Sequence, residues 1–498
     1  MKENTSFFAS KTVGLAVLLT LLILGAAIRM HDLTDLPLDF HPTRQLLSAL
    51  KARGIYYETL RNVSAEQKSF AIQQWKVRAA IEPEIIENIV AYTYRFTGEH
   101  LWIARIYSSL FWLIGGFFLF LLVRDLTSVD GALASTAVYL FLPFAVTASR
   151  SFQPDPLMVM LIIIFWWAVY QWSKNPASYS FAILAGIFGG FSIFVKLVAV
   201  FFVIGGGLGV LFRRLSLRDV LKQPQIYVMT FLGILPGAAY TIYGVFVAGY
   251  LGQQFGGRFI PSLFLSPSYY LGWLGMLNAV VGGAMLMFAL LGLFFFVDEK
   301  RRFVTALWIG YFIFGLYFNY HISSHDYYSL PLIPIVALSI APVAEIFLSQ
   351  LAKLTTTRWL RFSALGLLSF GIFASLWNIR ADMKSVDYRP EAQMWAEIGE
   401  KTSGHNLAGL TQDYGSRLAY WGWLSVTPWP TFGDLNYHNN MRGAKDDFEK
   451  QFEELTLKKD LFIVTDFVEL GRQPLLKNRL SQYLIFAQNE KYVIYSLH

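Results

Sequence analysis

Apolar runs close to twenty residues long recur from residue 13 to residue 379, and a chain written this way has few destinations other than a lipid bilayer. A helix rises about 1.5 Å per residue, so about twenty apolar residues match the ~30 Å hydrocarbon core. About eleven such runs are readable, near 13–29, 101–123, 131–148, 156–172, 179–195, 197–212, 226–247, 271–297, 303–320, 328–349 and 362–379. Backbone groups in hydrocarbon must be satisfied within the segment, so each run is predicted to be a helix. Lys196 alone divides the fifth from the sixth. With 55% hydrophobic and only 15% charged residues, the chain lacks the polar surface a soluble protein of this length needs. The first run follows Lys11 without a small-residue cleavage site and reads as a retained span, not a signal peptide.

The net charge of +7 does not point to nucleic acid, because Lys and Arg sit mainly in short loops between the apolar runs. With the N-terminus inside, the inner loops hold Lys11, Arg124, Lys174, Arg213, Arg214, Arg218, Lys222, Lys300, Arg301, Arg302, Lys353, Arg358 and Arg361. The short outer loops hold little beyond Arg150, Lys196 and Arg258. That bias places an odd number of spans across the membrane and residues 380–498 outside. The absence of cysteine excludes disulfides and thiolate metal sites.

Two outer segments are long. Residues 30–100 contain amphipathic stretches at 44–60 and 67–80, with Tyr56, Tyr57 and Trp75, expected as helices on the membrane surface. Residues 380–498 read as a soluble α/β domain after a transmembrane domain at 1–379. Helices are predicted at 391–401, 416–423 and 446–455, and strands at 406–411, 461–466 and near 491–497. No glycine-rich phosphate loop follows a strand there.

Ionisable residues at the outer boundary are the candidates for chemistry, since they are expensive at membrane depth. In LTDLPLDFHPTRQ, directly after the first span, Asp39, His41 and Arg44 stand together. A carboxylate and an imidazole can hold and deprotonate a hydroxyl while a guanidinium receives phosphate. The alternative is a helix start, with Asp39 or His41 near the cap, Pro42 in the first turn and Arg44 anchoring headgroups. SRSFQPDPLM places Arg150 and Asp155 in a short outer turn, where Asp155 either serves the site or caps the next span. Lys196 in SIFVKLVAVFF either snorkels or faces a polar cavity. Arg258 follows two glycines that permit close approach to a ligand, or is an ordinary loop arginine. HISSHDYYSLPLIP supplies His325, Asp326, Tyr327 and Tyr328, readable as site residues or as a helix cap with interfacial tyrosines. The two histidines of that run form no strong metal pattern.

At GEHLWIARIYSSLF (98–111), LPFAVTASRSFQPDPLMV (142–159) and HDYYSLPLIP (325–334) the chain resembles the GT-C-fold glycosyltransferases. The nearest branches are the protein O-mannosyltransferases and the bacterial aminoarabinose transferases that act on lipid A. The resemblance covers about residues 13–380. It implies a membrane all-α polytopic bundle with about eleven transmembrane helices carrying the C-terminal α/β domain. It also implies a polyprenyl-phosphate sugar as donor substrate and transfer on the external face of a bacterial inner membrane. A glycan, lipid or protein would be the acceptor, and no metal or nucleic acid would be required. Many relatives carry His-Pro-Asp-Glu in the first outer loop. Here Thr43 and Arg44 take the acidic places, which leaves Asp39 by position as the acceptor-activating carboxylate. Asp155 corresponds to the Asp of the PDP motif, Arg258 and Lys196 to cations of the phosphate site, and Tyr327 or Tyr328 to its tyrosine.

Other readings are a transporter or flippase, a ligase with a lipid diphosphate donor, and a non-catalytic homologue that binds carrier lipid. No clear internal repeat supports a transporter.

Overall fold

A computed structural model describes residues 6–8, 10–214, 217–220, 222–252, 258–355, 357–437 and 447–498. Helices occupy all of the expected apolar positions. Six are long and apolar enough to cross a membrane: Lys11–Met30, Trp102–Leu126, Asp155–Lys174, Pro224–Val247, Leu332–Leu354 and Arg358–Met383. Pro267–Val281 and Gly283–Phe295 make a seventh if the pair, bent by 89°, is one span. Val129–Phe141, Tyr179–Val195 and Ala199–Leu211 are apolar but shorter. Asp298–Tyr317 opens on DEKRR, so its first turn is charged. The chain is a multi-pass membrane protein.

The chain divides into two compact units. The first comprises Met1–Thr34, Ala79–Ile86 and Trp102–Ser385; the second comprises Asp35–Arg78, Glu87–Leu101 and Val386–His498. Sequence reasoning divided the chain once, near residue 380, and grouped 30–100 with the membrane part.

The first unit is built around Asp155–Lys174, which is buried along nearly its whole length and packs against Trp102–Leu126, Tyr179–Val195 and Ala199–Arg214. Small residues let these helices approach closely, as suits association in lipid. A Cβ on Gly190 would lie 2.2 Å from the Leu232 carbonyl oxygen, and one on Gly310 would lie 2.7 Å from that of Phe201. The uncertain boundary between the fifth and sixth runs is a real break: helix ends at Val195, Lys196 is extended, and helix resumes at Ala199.

The second unit holds a five-stranded sheet of β1 (Leu407–Leu410), β2 (Val426–Pro428), β3 (Leu461–Val464), β4 (Leu484–Gln488) and β5 (Val493–Ser496), in the order β2-β1-β3-β5-β4. Strands β2, β1 and β3 are parallel; β3, β5 and β4 are antiparallel. Side chains alternate between two cores, as a period of two requires. Ala408, Leu410, Phe462 and Val464 pack with Trp429, Phe452, Leu476 and Leu480. Leu407, Leu461, Ile463 and Ile494 pack with Trp395, Ile398 and Leu418. The helices expected at 391–401 and 446–455 are Arg389–Lys401 and Phe448–Thr456; Asp446 lies outside the described residues. The helix expected at 416–423 is present over 416–422, as α-helix at Ser416 and Arg417 and as π-helix over Leu418–Gly422.

The surface helix expected at 44–60 is corrected. Helix Pro42–Thr59 is buried without a break from Ser48 to Ile55, too completely for a helix resting on a membrane. Its polar residues have internal partners. Ser48 donates to Glu87 at 2.6 Å, and Arg53 meets Glu99 at 2.7 Å. The Arg53 guanidinium also lies 3.5 Å from the centre of the Tyr420 ring. Gly54 faces Ala65–Lys76, where a Cβ would fall 2.3 Å from that of Trp75.

Candidate functional site

The polar centre of the membrane unit forms where three loop ends meet. Asp155 begins helix Asp155–Lys174 between Pro154 and Pro156, where fixed φ suits the first turn and a carboxylate complements the helix dipole. Lys196 stands in the break after Tyr179–Val195. Its Nζ donates to both Asp155 oxygens, at 2.9 and 3.0 Å. Glu82 lies 3.9 Å from the same ammonium. Asp155 and Lys196 are 3% and 7% exposed, so the pair sits where water screens it weakly. An ammonium carries three N–H groups, and Asp155 takes two.

Aromatic rings close the other side. HDYYS folds as a 3₁₀ turn, Asp326–Ser329, ahead of helix Leu332–Leu354. It sets the rings of Tyr327 and Tyr328 5.3 and 5.6 Å from Lys196 Nζ. The Tyr328 hydroxyl accepts from Arg258 at 3.4 Å, and the guanidinium lies 5.9 Å from the Phe318 ring centre. Asn319 holds this loop by accepting from Ile260 N at 3.1 Å and donating to Ile260 O at 2.8 Å. From below, Tyr311 shares a 2.8 Å hydrogen bond with Ser329 and receives one from Trp273 at 3.2 Å.

His321 and His325 complete the cluster. The His321 ring lies 5.0 Å from Tyr328 and 5.7 Å from His325. The Ser324 hydroxyl is 2.8 Å from His325 Nδ1. Burial, with Arg258, His325 and Lys196 nearby, pushes the His321 imidazole down to about 3, so it is neutral. His321 Nδ1 is enclosed with no hydrogen-bond partner among the described residues. The arrangement offers two cations, a neutral ring and two tyrosines to an anionic ligand, with two carboxylates beside the lysine.

Of the residues expected from sequence, Asp155, Lys196, Arg258, His325, Tyr327 and Tyr328 come together here. Arg150 does not join them. It is 1% exposed and donates to the carbonyls of His31 and Asp32 at 2.9 and 3.0 Å, clamping the end of the first span. Sequence reasoning missed Glu82 and His321. His321 carried a signal, standing four residues before His325, whereas nothing in the polar run around Glu82 marked it.

Asp39, His41 and Arg44 belong to the second unit. Gln45 Nε2 donates to Asp39 at 3.3 Å and to the Phe40 carbonyl at 2.6 Å. His41 occupies the N-cap of Pro42–Thr59 in the left-handed region, φ 44° and ψ 65°, with no capping bond from its side chain. The Tyr388 phenol is raised by burial and then by Asp39, which places that carboxylate nearby.

Residues 82–243 match the family described as dolichyl-phosphate-mannose-protein mannosyltransferase. No curated protein matches the chain by sequence. Among solved structures, ArnT from Cupriavidus metallidurans bound to undecaprenyl phosphate is similar with a TM-score of 0.56 at 14% identity, covering 97% of each chain. Its apo form is similar with a TM-score of 0.57 at 13% identity, over 96% of this chain and 97% of that one. The archaeal oligosaccharyltransferase AglB from Archaeoglobus fulgidus, in complex with an inhibitory peptide and a dolichol-phosphate, reaches 0.51 at 11% identity over 90% of this chain and 69% of its own. The chain therefore has the GT-C fold, the architecture its motifs resemble.

Proposed function

We propose that this chain is a membrane glycosyltransferase that moves a sugar from a polyprenyl-phosphate carrier to an acceptor hydroxyl. In this reading the N-terminus is cytoplasmic, residues 380–498 are extracytoplasmic, and the membrane is a bacterial inner membrane. The observation that carries the proposal is the cation site of buried Lys196 and half-buried Arg258, walled by Tyr327 and Tyr328, in a GT-C fold. The bound undecaprenyl phosphate of ArnT and dolichol-phosphate of AglB support a lipid phosphate as its ligand.

The chemistry follows from charge. The bond between the anomeric carbon and the phosphate oxygen breaks, and the leaving phosphate gains one negative charge. Lys196 and Arg258 stabilise that charge in a poorly hydrated site. The acceptor oxygen bonds to the anomeric carbon from the opposite face, inverting it, and its proton passes to Asp39. Tyr327 and Tyr328 confine the donor.

Purified chain in lipid nanodiscs, given a labelled polyprenyl-phosphate sugar and a cell-envelope extract as acceptor source, should transfer label and release polyprenyl phosphate in equal amounts. Arg258→Ala should lower transfer about 10–100-fold, the loss expected for one charge-assisted hydrogen bond to phosphate. Tight binding of the lipid without transfer would support the non-catalytic reading, which Thr43 and Arg44 in the usual acidic places make the main rival. Label uptake into sealed vesicles without transfer would support a transporter.

A further inference from the structure

Of the five described non-glycine residues of the second unit with a left-handed backbone, three lie in two turns that one hydrogen bond links. His41 has φ 44°, and the adjacent Asp413 and Tyr414 both have φ 53°. The Thr43 hydroxyl donates to Asp413 Oδ1 at 2.7 Å, linking the two turns. Such backbone is disfavoured for side-chain-bearing residues and persists where surroundings impose it, most often at functional sites. The surroundings here are a buried relay. Asp413 Oδ2 accepts from Arg417 Nε at 2.6 Å, and Arg417 Nη1 donates to Glu391 at 2.6 Å. Arg417 is 8% exposed, and Glu391 is held in turn by Trp395 Nε1 at 3.1 Å.

A cap needs none of this. Thr or Asp at an N-cap satisfies the helix from an extended backbone, whereas His41 makes no side-chain capping bond. The strained turn instead fixes the backbone two residues after Asp39, and Gln45 reaches back to Asp39 from the first turn of the same helix. The feature that holds it comes from the C-terminal segment, from the loop after β1 and from helix Arg389–Lys401.

We propose that Asp413 and Arg417 are positioning residues for the Asp39–Thr43 turn, so that the C-terminal segment fixes the orientation of the acceptor-side carboxylate. This rests on the reading in which Asp39 takes the acceptor proton. It gives the C-terminal segment a part in the transfer step, acting through Thr43 on the backbone that carries Asp39.

Thr43→Val removes the linking hydroxyl at nearly constant volume, and Thr43→Ser keeps it. Steady-state kinetics in nanodiscs should show kcat about ten-fold lower for Thr43→Val, with KM for the lipid donor unchanged, and kcat restored in Thr43→Ser. Asp413→Asn should behave like Thr43→Val. Hydrogen exchange by mass spectrometry should show faster exchange over residues 38–46 in Thr43→Val than in Thr43→Ser. Wild-type kcat and exchange in Thr43→Val would overturn the proposal. A donor KM that rises with kcat constant would also overturn it, since the relay would then serve donor binding. If the wild-type chain transfers no sugar, the parent reading of Asp39 fails, and the exchange comparison alone decides whether Asp413 holds the turn.

Discussion

Asp155→Asn and Lys196→Met remove opposite ends of one ion pair, and the site reading requires them to fail differently. Lys196 Nζ is 2.9 Å from Asp155 and 3.9 Å from Glu82. At an effective dielectric near 20 these separations correspond to gross attractions of about 6 and about 4 kcal/mol. Removing one partner of a buried pair typically destabilises by about 3–5 kcal/mol, because the other charge is stranded. Glu82 attracts the lysine before and after Asp155→Asn, so its part cancels, but it keeps the ammonium from being stranded, and the expected loss lies at the low end of that range, about 3 kcal/mol. Lys196→Met leaves two carboxylates facing each other and removes a cation from the phosphate. The lost charge-assisted hydrogen bond is worth about 1.5–3 kcal/mol, or about 10–100-fold in affinity. The chain has 14 tryptophans and no cysteine, so intrinsic fluorescence is the natural readout of thermal unfolding. A fluorescent polyprenyl phosphate in detergent reports binding. Asp155→Asn should melt several degrees lower yet bind the lipid within a few-fold of wild type. Lys196→Met should lose at least ten-fold in affinity. Wild-type affinity in Lys196→Met would refute the assignment of Lys196 to the phosphate and leave the pair as packing alone.

His321→Phe should weaken carrier binding about ten-fold by removing a neutral polar ring beside the cations, while His321→Asn keeps most of it. The same ring makes a pH prediction. Its value falls from 6.5 to about 3 on folding, so as pH drops through that window the unfolded chain takes a proton that the fold refuses. Stability therefore declines by about 1.4 kcal/mol per pH unit from this group, and melting of His321→Phe between pH 6.5 and pH 4 should be correspondingly less acid-sensitive. Arg150→Met should lower thermal stability and leave donor affinity unchanged, because the guanidinium serves the His31 and Asp32 carbonyls. Loss of donor binding at unchanged stability would return Arg150 to the site.

The membrane unit was legible because hydrocarbon imposes a length and a composition, so every apolar run became a helix. The bend between Val281 and Gly283 was not legible, because an 89° turn within one apolar run leaves hydropathy unchanged. Strands β3 and β5 were readable from their β-branched runs and β1 from its short apolar run. Strand β2 is three residues ending in Pro428, and β4 is an edge strand with Leu484, Ile485 and Phe486 exposed, so neither carries the alternation that marks a strand. Asp155, Lys196, Arg258 and the tyrosines stood out because charge at membrane depth is rare. Glu82 was hidden in a polar loop where one more carboxylate attracts no notice. Arg150 shared that rarity and donates to the His31 and Asp32 carbonyls, since a buried guanidinium is also a strong donor for orphan carbonyls at a helix end. Pro42–Thr59 misled because Lys51 and Arg53 make a buried helix look amphipathic until their partners are known.

Lipid phosphate binding at the Lys196–Arg258 cluster is the central expectation. An electron cryomicroscopy map of the chain in nanodiscs with polyprenyl phosphate tests this directly. The predicted result is phosphate density within about 3 Å of Lys196 Nζ and the Arg258 guanidinium, beside Tyr328. Phosphate density elsewhere in the membrane unit, with Lys196 still bound only to Asp155, would contradict it.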